Sequence, residues 1–299
     1  MAPGPPGPTV SVLICTFQSS GEVEAALRSC LDQGLPQERL VVVDNHSDDG
    51  SADLVAQEFP SVRLIRLERN LGFARANNLA ARQAAPGDLL LLNPDARLGE
   101  GALATMRAAL AADPRRGAIS PRIDRPDGSL DRACHRSFPT LLSAFWRLGG
   151  LSRLRPSSSH FAAYNLGHLP PDLSTEIDSG TGACMLLRRE AWERLGGFDE
   201  GFFMYGEDLD LCWRLRHQLG LCVWYEAQAR VLHLKGQSSQ QRALRMLVAF
   251  HRSMWRFYRL HYLQGARALW APLVALGVLA RLVILLALNR LRRHPKVSP

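Results

Sequence analysis

The sequence contains no Cys-x-x-Cys pair, no Gly-x-Gly-x-x-Gly and, from Gln241 to Pro299, no Asp or Glu. Each absence removes a class of function. The six cysteines (Cys15, Cys30, Cys134, Cys184, Cys212 and Cys222) lie mostly inside apolar runs and read as buried thiols in a reducing compartment. Without Gly-x-Gly-x-x-Gly an ordinary dinucleotide site is not expected. The turn after the first strand also lacks the Gly-rich, Lys- or Arg-bearing loop with which a nucleotidyltransferase would grip a triphosphate. The first eight residues are Pro/Gly-rich, with neither a basic start nor an apolar stretch. They read as a disordered tail and not as a signal peptide, so the globular part is expected to stay in the cytosol.

The acid-free stretch also locates the charge. Net charge is +8, but Gln241 to Pro299 carries eleven Arg or Lys, leaving twenty-five basic against twenty-eight acidic residues in the first 240. The body is mildly acidic and the tail holds the excess. A protein that binds nucleic acid over its whole surface is thereby disfavoured, and a tail facing anionic lipid is favoured.

What is present is an alternation of apolar runs and helix-like stretches. Val10 to Cys15, Leu40 to Val43, Val62 to Leu67 and Leu89 to Leu92 read as strands, with helical segments at Glu22 to Gln33 and around Asn77 and Asn78. A recurrence of about 25 residues is the signature of βαβ units and a parallel sheet. The 299 residues suit one large α/β domain with an appendage, or two modest domains. Four consecutive leucines mark a strand buried on both faces. Pro94 ends it, and Asp95 is delivered at its carboxyl end, where open α/β sheets bind ligands. Asp95 there reads as a metal ligand or as part of a plain Asn-Pro-Asp turn.

The other candidates carry similar pairs of readings. Asp44, at the mouth of the second strand, could meet a ribose or base edge, or with Ser47 or Ser51 could cap the next helix. Between Ala118 and Ile177 the pattern loosens: Asp127-Gly128 reads as a hairpin turn, Phe138 to Leu148 as a short helix, and Ser152 to Pro171 as a loop. Small residues from Gly180 to Ala183 precede an apolar strand and would let a ligand approach the backbone. Glu207, Asp208 and Asp210 open a helix; the helix dipole favours acids there whatever their role, and one of them also suits a general base. His233 ends an apolar run and, paired with Asp95, becomes a candidate ligand for Mn²⁺ or Mg²⁺.

These segments together resemble family 2 glycosyltransferases of the GT-A fold, particularly the rhamnosyltransferase-like branch of bacterial surface polysaccharide synthesis. The matching residues are Val10 to Thr16, Val41 to Ser51, Asn70-Leu71-Gly72-Phe73-Ala74 with Asn77-Asn78, Leu91 to Asp95, Gly182 to Leu186 with Arg188-Arg189, Gly196 to Glu200, Glu207 to Leu211, and His233. The resemblance implies a mixed, mostly parallel α/β sheet flanked by helices over residues 9–240. It implies an inverting, metal-dependent enzyme moving a sugar, rhamnose in that branch, from a nucleoside-diphosphate sugar to a hydroxyl of a glycan or lipid-linked acceptor. Thr16, Asp44 and Asn70 would hold the nucleotide, with Asn77 or Asn78 near its phosphates and Asn93, Gly182 and Ala183 around the donor sugar. Asp95 and His233 would bind Mn²⁺ or Mg²⁺, Asp208 or its competitor Glu207 would be the base, and Asp210 would lie toward the acceptor. Asn93 replaces the first Asp of the D-x-D position found in many relatives, and Phe17 and His46 stand where polar or small residues are commoner. A nucleotidyltransferase, or a sugar-nucleotide-binding or membrane scaffold without catalysis, is the alternative.

Residues 241–293 form the appendage, with 294–299 a short tail. Arg245, Arg252, Arg256 and Arg259 alternate with Leu, Val, Phe, Trp and Tyr, an amphipathic pattern suited to a membrane interface or to packing on the catalytic body. Ala268 to Leu288 is 21 residues with one charge, Arg281, and one proline, Pro272. That is long enough to span a bilayer. The lone Arg costs about 3 kcal/mol on insertion scales, so both spanning and interfacial placements stay open. Either way the chain is expected at the cytoplasmic face of the membrane.

Overall fold

A computed structural model describes residues 9–140, 142–143, 146, 154–155, 157–234 and 243–291. The expected tails at 1–8 and 294–299, much of the expected helix from Phe138 to Leu148 and part of the loop from Ser152 lie outside the described residues. β1 (Val10–Thr16), β2 (Leu40–Asp44), β3 (Arg63–Arg66) and β4 (Asp88–Leu92) make the parallel half of a nine-stranded sheet, in spatial order β3-β2-β1-β4. α1 (Val23–Leu31), α2 (Ser51–Glu58) and α3 (Phe73–Gln83) are the helices between them. Every residue of β4 is buried, because β1 and a later strand, Cys184–Leu187, flank it and helices cover the sheet.

The second half is mixed. β5 (Ala96–Leu98), α4 (Ala102–Ala112), β6 (Arg116–Asp124), β7 (Thr175–Ile177), β8 (Cys184–Leu187), α5 (Arg189–Leu195), α6 (Glu207–Leu219) and β9 (Cys222–His233) follow in sequence. In space the order continues β4-β8-β6-β9-β5, with β7 also paired to β9. β8 runs antiparallel to both β4 and β6, while β9 runs parallel to β6 and antiparallel to β5 and β7.

Two consequences of this topology position the site. Along β9 the period of two puts Val223, Tyr225, Ala227, Ala229, Val231 and His233 on one buried face, so the terminal imidazole is buried with them. The register of β5 on β9 sets Ala96 opposite His233, and Leu234 N–H donates to the Asp95 carbonyl at 2.9 Å. The expected turn at Asp127-Gly128 is present, closed by hydrogen bonds between Arg125 and Gly128 and between Arg125 and Ser129, both 2.8 Å.

The tail corrects one expectation. α7 (Ala243–His261) lays its apolar stripe, Leu247, Phe257 and Tyr258 with His251 and Ser253, into buried surroundings. It docks on the body, and that face is not available to lipid. Arg256 grips Asp199 through two nitrogens at 2.8 and 3.1 Å, Ser253 donates to the Met204 carbonyl at 3.1 Å, and Trp213 packs edge-on against Phe257. Arg245, Arg252 and Arg259, spaced seven apart, remain exposed. α8 (Ala271–Leu291) is different: Leu273, Leu276, Leu279, Val283 and Ile284 are all exposed, and the most apolar 18-residue window within Ala268–Arg290 has a mean hydropathy of 2.5 with none of that window buried. Its one internal charge is accounted for. Arg281 Nη1 lies 3.0 Å from His251 Nε2 of α7, and its guanidinium sits over the Phe250 ring.

Candidate active site

The carboxyl ends of β1 and β2 build one wall of the site. Thr16 Oγ1 donates to Asp44 Oδ1 at 3.1 Å, and the other Asp44 oxygen accepts the Ser47 N–H at 3.0 Å. Asn45 Oδ1 accepts the Leu71 N–H at 2.7 Å, and Asn70 Oδ1 accepts the Gly72 N–H at 2.9 Å, which ties the loop before α3 to the same wall. The loops after β1 and β2 are stitched together by Gln18 N–H to Ser47 Oγ and Ser19 N–H to Ser51 Oγ. Both loops carry a non-glycine residue in the left-handed region, Gln18 at φ 54° and His46 at φ 71°. Strain of this kind persists where surrounding bonds over-determine it, and it clusters at ligand sites. The capping alternative for Asp44 is met in part: its carboxylate closes a turn, but the residue ahead of α2 is Gly50, and Ser51 lies inside the helix.

The β4–β5 turn builds the opposite wall. Asp95 Oδ1 and His233 Nε2 stand 3.1 Å apart, with side chains 12% and 8% exposed. Adjacent ligands of an octahedral cation, each at about 2.1 Å, lie roughly 3 Å apart, so this pair suits two neighbouring coordination positions. Among the described residues no cluster of three or more His, Cys, Asp or Glu surrounds one cation-sized point. Remaining positions would have to be filled by ligand oxygens and water. Burial disfavours the charged ring of His233, but Asp131 and Asp95 outweigh it and raise the pKa to about 9.

Between the walls lies the start of α6. Asp208 Oδ2 accepts the Gly182 N–H at 3.2 Å and an Arg136 N–H at 3.0 Å, while Oδ1 accepts the Leu209 N–H at 2.7 Å. Gly182 is closely covered, since a Cβ there would press on the Phe73 ring at 3.0 Å. The next residue, Ala183, accepts the Asn93 N–H at 2.8 Å. A continuous run of contacts therefore links Asp208, Gly182, Ala183 and Asn93 to Asp95 and His233. Both acids are buried, but Glu207 differs from its neighbour in that its Oε2 has no hydrogen-bond partner, and burial together with the Asp208 charge pushes its pKa up to about 8.

Residues 11–196 match the family model described as Glycosyl transferase family 2. This chain belongs to that family. The transferase is 32% identical over 307 aligned residues to an N-acetylglucosaminyl-diphospho-decaprenol L-rhamnosyltransferase of Mycobacterium tuberculosis, with 95% of each chain covered. It is 30% identical over 246 residues to the O-antigen biosynthesis protein RfbC of Myxococcus xanthus, covering 79% of this chain and 18% of that one. Among solved structures it matches GalNAc-T7 with UDP, GalNAc and Mn²⁺ at a TM-score of 0.61 and 16% identity, over 89% of this chain and half of that one. It also matches the mannosyltransferase PcManGT of Pyrobaculum calidifontis in complex with GDP-Man and Mn²⁺, at a TM-score of 0.57 and 20% identity, over 95% and 80% of the two chains. These structural likenesses establish the GT-A fold. The family and the full-length relative make the chain a nucleotide-sugar-dependent glycosyltransferase of the rhamnosyltransferase-like branch.

Three expected site residues of the transferase have structural partners instead. Asn77 is buried and donates to the Phe73 carbonyl at 2.9 Å within its own helix. Asn78 clamps the loop after α5, accepting the Phe198 N–H and donating to the Phe198 carbonyl, both at 2.9 Å. Both side chains are buried and bonded within the protein. Asp210, expected toward the acceptor, is 1% exposed and has both oxygens taken, by Arg214 at 2.7 Å and His261 at 2.8 Å. It fastens α6 to α7, so the acceptor role is withdrawn.

One residue was not anticipated. Arg136, in the loosened stretch after Cys134-His135, is largely buried and donates to the Gly180 carbonyl as well as to Asp208. Three acids opening one helix require a cation from elsewhere, and that requirement was its only signal in the sequence.

Glu207 yields a prediction with a definite sign. Its folded pKa of about 8 lies above the ordinary 4.5, so the folded state binds the proton more tightly and stability is lost as pH rises between these values. Glu207→Gln, which mimics the protonated form, should raise Tm over wild type more at pH 8 than at pH 5. A difference that stays constant or shrinks across that range would show an ionised carboxylate.

Proposed function

We propose that the transferase is an inverting, divalent-cation-dependent enzyme that moves rhamnose from a nucleoside-diphosphate sugar to a hydroxyl of a lipid-linked glycan. The observation that carries this reading is the unbroken path of contacts from Asp208 through Gly182, Ala183 and Asn93 to the Asp95–His233 pair. It sets a carboxylate and a cation-sized pair of ligands on either side of a backbone strip with no bulky side chain. Rhamnose and a lipid-linked acceptor are supported by the full-length relative from Mycobacterium tuberculosis, and a cation by the Mn²⁺ in two structures of the same fold.

In this reading Thr16, Asp44 and Asn70 fix the loops that receive the nucleoside, and Gly182 and Ala183 let the sugar lie against backbone. Mn²⁺ or Mg²⁺ held by Asp95 and His233 would neutralise charge on the departing diphosphate. Asp208 takes the proton of the acceptor hydroxyl as that oxygen bonds to the anomeric carbon and the bond to the diphosphate oxygen breaks on the opposite face, which inverts the centre. Arg136 and the Gly182 amide hold the Asp208 carboxylate in place. Glu207 is less suited to the task, because burial and the neighbouring Asp208 charge push its pKa up and favour its protonated form, and no donor holds its Oε2.

Membrane attachment completes the reading. The exposed apolar face of α8 would enter the lipid at the cytoplasmic face, and Arg245, Arg252 and Arg259 would meet anionic headgroups. The long-chain acceptor would then reach the site without leaving the bilayer.

Two experiments test this reading. Asp208→Asn should lower transfer from a nucleoside-diphosphate rhamnose by about 10²- to 10⁴-fold, the usual contribution of a general base, while nucleotide affinity measured by calorimetry stays within a few-fold. Full activity would remove Asp208 from the mechanism. Replacing Leu276, Leu279 and Ile284 together by Glu in the full chain should shift the protein from the membrane pellet to the supernatant without detergent; unchanged pelleting would take α8 out of the attachment.

A further inference from the structure

His233 uses one ring nitrogen to face Asp95, and the other, Nδ1, is buried without a hydrogen-bond partner. A ring that binds a cation through Nε2 needs its proton on Nδ1, and an acceptor there sets both the tautomer and the ring plane. The group facing Nδ1 is Asp131, whose Oδ2 lies 3.7 Å away and whose side chain is 3% exposed. That separation is in ion-pair range, one small ring rotation from a hydrogen bond. Hydrogen bonds at catalytic sites are often long in the empty site and tighten when it is filled.

Asp131 is itself held firmly. Its backbone N–H donates to the Ile123 carbonyl at 2.8 Å, its Oδ1 accepts the Ala133 N–H at 3.2 Å, and Arg125 reaches the same oxygen at 3.4 Å from the surface. These bonds use Oδ1 and turn Oδ2 toward the imidazole. The residue is delivered by the turn at Asp127-Gly128, which folds the chain after β6 back so that Leu130 bridges Asp124. The turn thereby gains a purpose that neither the fold nor the transfer chemistry assigns to it.

We propose that Asp131 is a positioning residue for His233: its buried carboxylate fixes the ring plane and keeps the proton on Nδ1, so that Nε2 is presented beside Asp95 to a divalent cation. This rests on the reading of Asp95 and His233 as metal ligands. Asp131 would touch neither cation nor substrate.

The test uses the full chain in detergent, titrated with Mn²⁺ alone and followed by the electron paramagnetic resonance of free Mn²⁺, with ¹⁵N-histidine NMR of the metal-free protein. Asp131→Ala should weaken Mn²⁺ binding by about 10- to 100-fold, the usual loss when such a partner is removed. Asp131→Asn, which keeps an acceptor oxygen but not the charge, should weaken it by about tenfold and serves if the Ala variant fails to fold. The His233 signals, recorded above its pKa of about 9 so that the ring is neutral and assigned by their loss in His233→Asn, should report a single Nδ1–H tautomer in wild type and a mixture in Asp131→Ala. Asp95→Ala is the control for the underlying reading. If Asp95→Ala abolishes Mn²⁺ binding while folded Asp131 variants stay within about twofold of wild type and keep the tautomer, the positioning role is overturned and the metal pair stands. If Asp95→Ala leaves Mn²⁺ binding unchanged, the metal pair falls and the role of Asp131 falls with it.

Discussion

Antiparallel pairing of β5 with β9 is the constraint on which the site depends. A three-residue strand, Ala96–Leu98, pairs its first residue with the last residue of β9, and that register alone brings Asp95 and His233, 138 positions apart, to within 3.1 Å. A slip of one residue would turn the imidazole to the opposite face of the sheet and separate the pair. The register is held on both sides: Leu234 bonds back to Asp95, and the alternation along β9 buries five further side chains on the face that carries His233. The closeness of Asp95 and His233 therefore rests on strand register and apolar burial more than on the polar groups themselves.

The same economy governs the other half of the site. α6 begins with three acids, and the structure gives each a separate environment. Asp208 is turned toward Gly182 and Arg136, Asp210 is tied to Arg214 and His261, and Glu207 is left buried with an unpartnered oxygen. Burying a carboxyl without partners is costly unless it stays protonated, which is the direction in which Glu207 is pushed. Asp210 and Asp199 also connect α6 and the loop before it to α7. The helix that leads to the exposed apolar α8 is thus fastened within a few residues of Asp208.

The parallel half of the sheet was legible because its strands are short apolar runs at regular intervals. Leu89 to Leu92 announced a strand buried on both faces, and it is one. That Asp95 and His233 stand together was legible only through the order of their motifs, since no local pattern says that residues so far apart meet. The misassigned residues share a cause. Asn77, Asn78 and Asp210 are polar side chains on helices close to the site, and whether such a group faces a ligand or a neighbouring loop depends on helix rotation, which tertiary packing sets. Arg136 lay in a stretch without periodicity, where only its partner Asp208 reveals its place. The amphipathic pattern of α7 was read correctly as a two-faced helix, but a stripe of Leu, Phe and Tyr fits a protein surface as well as a lipid one. The choice was made by Asp199, Met204 and Trp213, residues that sequence periodicity does not pair with α7.

The most direct measurement is anomalous scattering from Mn²⁺ in crystals of the full chain grown with Mn²⁺ and a nucleoside diphosphate. A single strong peak within about 2.3 Å of both an Asp95 carboxylate oxygen and His233 Nε2 is the predicted result. A fully occupied cation elsewhere, with Asp95 and His233 still bonded only to each other, would contradict it.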